Sequence, residues 1–503
     1  MSLLKKITKH SGVCFIISCC SSIVCQSQAV IYPGPGTLKP SAEYSVKVDG
    51  RNAFVYASPI PAAYCSFDMS KPVEITIKAN RDIKWVDVRP LSAGIKPVFK
   101  DSTIIISLSK PVQLSIELNG SIKMPLFLFA NAPEKNKPAK DDPNVRFYAA
   151  GKIYYAGIIN VKSNETVYIE GGAVVVGVVK ANNANHIRIA GHGILDGTYN
   201  NKFSDSLIKN KNTQEIGANM STGKYERFLE FSECDDVVVE GITLHNSTSW
   251  QVVPFKSTNV LINNVKIISD QASDDGIDIV HSKKVVVRNC FIRTKDDCIA
   301  IKSYQANPAG PDVDNVLVEQ CVFWNALWGN GLEIGFELNS AAVKNVTFRN
   351  SDIIHIEAGA AFSIHNAGTA TVSRILYDDI RVEDARQKLF DLAIFRSFYS
   401  EDGKVSEEER KREYLNGAWD GVLAVPPNEN QAHSKYRGNI RNVVFKNISI
   451  VDGMLPFSIF YGADKNHLVE NISIQNLRVH GRKITSLQQA KIYQENAMAL
   501  IIR

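Results

Sequence analysis

The sequence predicts an all-β protein: a parallel β-helix over residues 146–503, preceded by a small β-sandwich at 30–145 and a leader at 1–29. Three observations carry this reading. One short phrase recurs along most of the chain, the front segment alternates without sharing it, and two acidic pairs stand in the same register before successive apolar runs.

The repeat runs VYIEGG (167), IRIAGH (187), VVVEGI (237), VLINNV (260), VVVRNC (285), VLVEQC (316), VTFRNS (346), ILYDDI (375), VVFKNI (443) and ISIQNL (472). Each is a β-branched strand with alternating sides, a small or amide residue at the fifth position, and a second short strand. Self-similarity at this period means stacked coils, each burying its apolar face on the next. The fifth-position column is Gly171, Gly191, Gly241, Asn264, Asn289, Gln320, Asn350, Asp379, Asn447 and Asn476, as in a ladder whose amides bond the copies above and below. A sandwich of irregular hairpins is the alternative.

Before the repeat, VEITIKA (73–79), TIIISLS (103–109) and VQLSIEL (112–118) alternate between Gly, Pro and Asn turns, as in a small antiparallel sandwich. APEKNKPAKDDPN (132–144) has the composition of a linker. SEEERKREYLNGAWDG (406–421) breaks the repeat and reads as a helical insertion carrying Trp419, and 201–226 and 394–440 are the insertions that would shape any groove.

At the N-terminus, Lys5, Lys6 and Lys9 precede an apolar stretch and small residues, the layout of a secretory signal with cleavage after Ala29. Ile16-Ile17-Ser18-Cys19 is also loosely similar to a lipoprotein processing site, which would leave a lipid on Cys19. No later run is long enough to span a bilayer, so an exported protein is expected. The net charge of +5 without a basic run gives nucleic acid little support as a partner. The five cysteines beyond the leader have no metal-binding spacing; neither metal nor cofactor is expected, and Cys290 and Cys321 should stack as buried thiols, a disulfide between them being the alternative.

The acidic pairs are SDDGIDIV (273–280) and TKDDCIAIKS (294–303). If GIDIV (276–280), CIAIK (298–302), GLEIG (331–335) and AFSIH (361–365) stack, Asp275, Asp297, Asn330 and Ala360 form one column, and Asp274, Asp296, Gly329 and Gly359 its neighbour. Carboxyls one strand spacing apart, about 4.8 Å, resist simultaneous ionisation, so at least one should titrate high. Such a set suits glycoside hydrolysis, which needs a protonated carboxyl for the leaving oxygen and a carboxylate for water or carbon. Asp278, Lys302, Glu333 and His365 are outward positions expected to line a groove for an extended polymer.

These residues resemble glycoside hydrolase family 28, the polygalacturonases, whose motifs N-T-D-G, D-D-C-I-A-I, G-H-G and R-I-K lie on successive coils. Here Ser273-Asp274-Asp275-Gly276 and Asp296-Asp297-Cys298-Ile299-Ala300-Ile301 stand for the first two, and RFLEFSECDDVVVEGITLHNSTSW (227–250) is similar to the family's entry into those coils. The resemblance covers roughly 145–480 and implies a right-handed, pectin-lyase-like helix. It further implies Asp296 as general acid, Asp275 and Asp297 as the pair activating water, and inversion at the anomeric carbon. VRPLSAGIKPVF (88–99) and MPLFLFANAPE (124–134) resemble the front domain of family 49, dextranase and isopullulanase, whose substrates are neutral α-glucans.

Two motifs depart from the pattern. Asn330 stands for the G-H-G histidine, and Ser363-Ile364-His365 for R-I-K. Ser363 cannot pair with a galacturonate carboxylate, and His365 is expected mostly neutral near pH 7. Asp274, Asn330, Lys302, Glu333 and His365 are the candidate substrate-binding residues, with bland alternatives beside them: a ladder amide for Asn330, a solvated lysine for Lys302, a turn cap for His365. Trp324, Trp328 and Trp419 are either stacking platforms or core. Besides a pectic or neutral-glucan hydrolase, the sequence leaves open a polysaccharide lyase, with Lys302 as its base, and a non-catalytic glycan-binding β-helix.

Overall fold

A computed structural model describes residues 29–503 except 37, 59, 201–226, 248, 306–309, 398, 404–407, 409–421 and 424–432. The leader, Cys19, Trp419 and nearly all of the 406–421 insertion lie outside the described residues. Ala29 opens the first strand and pairs with Met69.

The front segment holds two sheets. Tyr44–Val48, Val73–Ala79 and Thr103–Leu108 centre the five-stranded one. Alternate residues such as Val73, Ile75 and Ile77 turn inward onto Leu114, Ile116, Leu126 and Leu128 of the other. That second sheet is not wholly antiparallel as expected: Ala63–Met69 pairs in parallel with Ser121–Asn131.

Between Val145 and Ile502 thirty strands form one continuous sheet wound into a parallel β-helix, while Arg396–Ser397 and Val422–Leu423 pair on their own. Through the middle coils each strand pairs with the third strand after it, so each coil has three strands. The inward Val, Ile, Leu and Phe side chains make one unbroken core from Ile159 to Ala490. The fifth-position column exists, but for a different reason than an amide ladder. Asn264, Asn289, Gln320, Asn350, Asp379, Asn447 and Asn476 have φ between 43° and 58°, a left-handed turn that Asn tolerates better than most residues. Direct amide pairing joins Asn476 to Asn447 (2.9 Å), whereas Asn289 donates to Asn263 and Asn264 to Asn131.

The sandwich is welded to the helix. Tyr64, Phe127 and Phe129 pack with Phe291, Trp324 and Ile354, so Trp324 is core, 2% exposed, with its indole N–H on Glu357. Arg89 reaches Glu117, Glu383 and Asp452, and His355 bridges Glu117 and Asp384. Cys290 and Cys321 are free and buried, the backbone N–H of Cys290 meeting the Cys321 sulfur at 3.4 Å.

Candidate active site

The stacking read from sequence is the one observed. Ile277, Ile299, Leu332 and Phe362 are register partners on consecutive coils, as are Asp278, Ala300, Glu333, Ser363 and Asp391. Asp275, Asp297, Asn330 and Ala360 are joined by backbone bonds from the residue after each to the carbonyl of the next.

Within this frame the acids differ. Asp274 is wholly buried and accepts the backbone N–H groups of Gln271, Lys295 and Asp296 at 2.8–3.0 Å. It holds the turns that carry the acids and is enclosed where the sequence suggested substrate contact. Burial pushes it up to about 6 against those bonds. Asp296 is the partly exposed member; burial, then the nearby Asp275 charge, push it up to about 8. Asp297 is raised well above the carboxylate range by burial and by Glu333, Asp275 and Asp296. Asn330 gives Asp297 Oδ1 both its backbone N–H (2.7 Å) and its side-chain amide (3.2 Å), and accepts from Ala360. Asn330 is thus a clamp on Asp297.

Lys302 is not a solvated lysine. Its ammonium lies 3.3 Å from Asp275, 3.6 Å from Glu337 and 3.9 Å from Asp278, over the Trp250 ring at 4.7 Å. Burial lowers it, but Glu337, Asp275 and Asp278 prevail and hold it well above the usual lysine value. Asp275 is raised by burial and pulled back by Lys302; Asp278 is raised further, by burial and the Asp275 charge.

Asp278 and Glu333 are fully buried, and so line no groove: neighbouring coils cover the outer face of their strands. His365 also departs from expectation. It lies 3.1 Å from Glu333 and 3.2 Å from Asp391, and these carboxylates overcome burial to push it up to about 10. It is an imidazolium at neutral pH. Asp391, Glu337 and Trp250 complete the site and were not among the candidates read from the sequence; for Asp391 the signal was its register, standing below Ser363. Away from this site, Asp68, Glu134 and His192 form the one cluster of potential metal ligands among the described residues.

A parallel β-helix bearing stacked, desolvated carboxyls at its strand ends defines the class, and the comparisons refine it. Residues 145–390 match the sequence model of glycosyl hydrolases family 28. Polygalacturonase QRT2 of Arabidopsis thaliana is 24% identical over 59% of this chain and 58% of its own length. Exopolygalacturonase rpg15 of Rhizopus delemar is 25% identical over 54% and 62%. The chain thus spans about three-fifths of these relatives. Dex49A from Penicillium minioluteum shares the fold, with a TM-score of 0.63 and 16% identity over 94% of this chain and 96% of its own. The polygalacturonase of Erwinia carotovora ssp. carotovora does so at TM-score 0.50, 15% identity, 74% and 99%. The resemblance read from the acidic motifs is borne out over residues 145–390, and for the front domain the likeness to Dex49A is one of fold.

Proposed function

We propose that the protein is an exported, polygalacturonase-like glycoside hydrolase that cleaves an α-linked polysaccharide with inversion. The observation that supports it most is the partly exposed Asp296, protonated up to a pKa of about 8, beside the Asp275–Asp297 column. Asp296 gives its proton to the glycosidic oxygen as the C1–O bond breaks. Asp275, whose ionised form the Lys302 ammonium at 3.3 Å favours against burial, takes a proton from the water whose hydroxyl joins C1, and Asp297 helps orient that water. Family likeness supports inversion, and the leader supports export. A lyase is disfavoured, because Lys302, the base it would need, is held protonated by three acids. The engagement of Lys302 and His365 in ion pairs favours a second reading, a neutral α-glucan as substrate.

The test is incubation of the protein and its Asp296→Asn variant with polygalacturonate, rhamnogalacturonan, dextran and pullulan, following reducing ends and the anomer released by NMR. A pectic polymer should be cleaved, with loss of about 10²–10⁴-fold in the variant. Cleavage of glucans alone selects the second reading; no cleavage, or equal activity in the variant, sinks both.

A further inference from the structure

The cations at the motif positions are occupied: Lys302 by Asp275, Asp278 and Glu337, His365 by Glu333 and Asp391, and nearby Lys388 by Asp391. Lys295, the residue before Asp296, is different. Among the described residues it makes no ion pair; its ammonium rests 4.0 Å from the centroid of the Trp328 ring. That indole is 55% exposed, and Leu327 beside it 57%. A contiguous exposed apolar pair with an ammonium on one ring face is poor use of surface unless something covers it.

The backbone ties this platform to the acids. Trp328 and Gly329 both donate to the Lys295 carbonyl, at 3.0 and 3.1 Å, while the Lys295 N–H shares Asp274 Oδ1 with that of Asp296. Gly329 packs so closely that a Cβ there would stand 2.2 Å from the Asp297 nitrogen. The turn that carries Trp328 is therefore fixed by its backbone to the one that carries Lys295, Asp296 and Asp297.

We propose that Trp328 and Lys295 form the uronate-recognising subsite of this groove, the indole carrying the apolar face of a pyranose ring and Lys295 pairing with its carboxylate. Recognition of acid has moved from the R-I-K positions to the turn beside the general acid. A carboxylate here meets an unpaired, partly desolvated ammonium, whereas at His365 it would face Glu333 and Asp391. This rests on the groove being a polysaccharide site but not on turnover.

The test is calorimetric titration, at low salt, of the full chain carrying Asp296→Asn with a galacturonate trisaccharide and with isomaltotriose and maltotriose. The same titrations follow with Lys295→Met, Lys295→Arg or Trp328→Ala added, each variant checked by melting temperature. The acidic sugar should bind roughly tenfold more tightly than the neutral ones, in a salt-sensitive way. Lys295→Met should erase that preference, Lys295→Arg keep it, and Trp328→Ala weaken binding of the acidic sugar. No binding of the galacturonate, equal affinity for neutral sugars, or an unchanged preference in Lys295→Met overturns the proposal. Cleavage of polygalacturonate alongside an unchanged preference would leave the hydrolase standing without this subsite; preference without turnover of any polymer would do the reverse.

Discussion

Replacing Lys302 by Met keeps most of its apolar stem and removes one charge from the centre of the acid cluster. At 3.3 Å from Asp275 that charge is worth about 5 kcal/mol with an effective dielectric of 20. Since one pKa unit corresponds to ~1.4 kcal/mol, the full term would raise Asp275 by about 3 to 4 units. The ammonium is shared with Glu337 and Asp278, and the cluster can relax, so the expected shift is roughly 1–2 units. With Asp275 as the proposed base, activity should rise as it ionises. The acidic limb of kcat/KM against pH should therefore move upward by that amount, and the alkaline limb, which reports loss of the Asp296 proton near 8 while Lys302 is present, should move upward as well, since the Lys302 charge also lowers Asp296. Stability should carry the same sign. Carboxyls with raised folded pKa values stabilise the fold while protonated and lose that contribution as pH rises, so Lys302→Met should melt higher at pH 5 than at pH 8. The assay is reducing-end release across pH 4–9, with melting curves at the same pH values. A uniform drop in kcat/KM with an unmoved acidic limb would refute the reasoning and make Lys302 a substrate contact.

Two further outcomes concern the weld between sandwich and helix. Trp324→Ala should destabilise by about 3–5 kcal/mol in chemical denaturation, through loss of its contact with Phe127, while leaving kcat unchanged below the transition. Lys266, wholly buried with its ammonium on Asn131 Oδ1 (2.5 Å) and the Gly241 carbonyl, is lowered to about 7 by burial. The unfolded lysine holds its proton to higher pH, so between about pH 7 and 10 this group makes the fold more stable as pH rises. Lys266→Met should flatten that part of the melting-temperature profile; an identical slope in both proteins would show that Lys266 is charged in the fold throughout.

What was legible in the sequence was whatever depends on register. Period-two alternation and the recurring phrase fix which residues stack, so the Asp275–Asp297–Asn330 column could be read without coordinates. Side-chain destination was harder to read. Asp278 and Glu333 alternate outward from the apolar core, which sequence reasoning equates with a groove, yet both are fully buried. The reason is lateral: long neighbours such as Lys302 and His365 fold over the outer face of the strand, and no single strand's pattern records what the next coil lays across it. Trp324 stayed open between platform and core for the same reason, because its partner Phe127 lies 197 residues earlier, in a different sheet.

The His365 result extends this to charge. Taken alone, a histidine in place of a motif lysine implies a lost cation near pH 7. Placed between Glu333 and Asp391 it is protonated up to about 10, so the charge is kept and the availability is lost. The same holds for Lys302. Crowding Asp275, Asp278, Asp296 and Asp297 into adjoining coils requires compensating cations, and the nearest ones are taken up by buried acids before a substrate arrives. A groove built this way can recognise a charged sugar only through a cation standing outside the compensated cluster. Lys295 meets that condition because the turn that presents Asp296 turns its ammonium onto an indole instead of an acid.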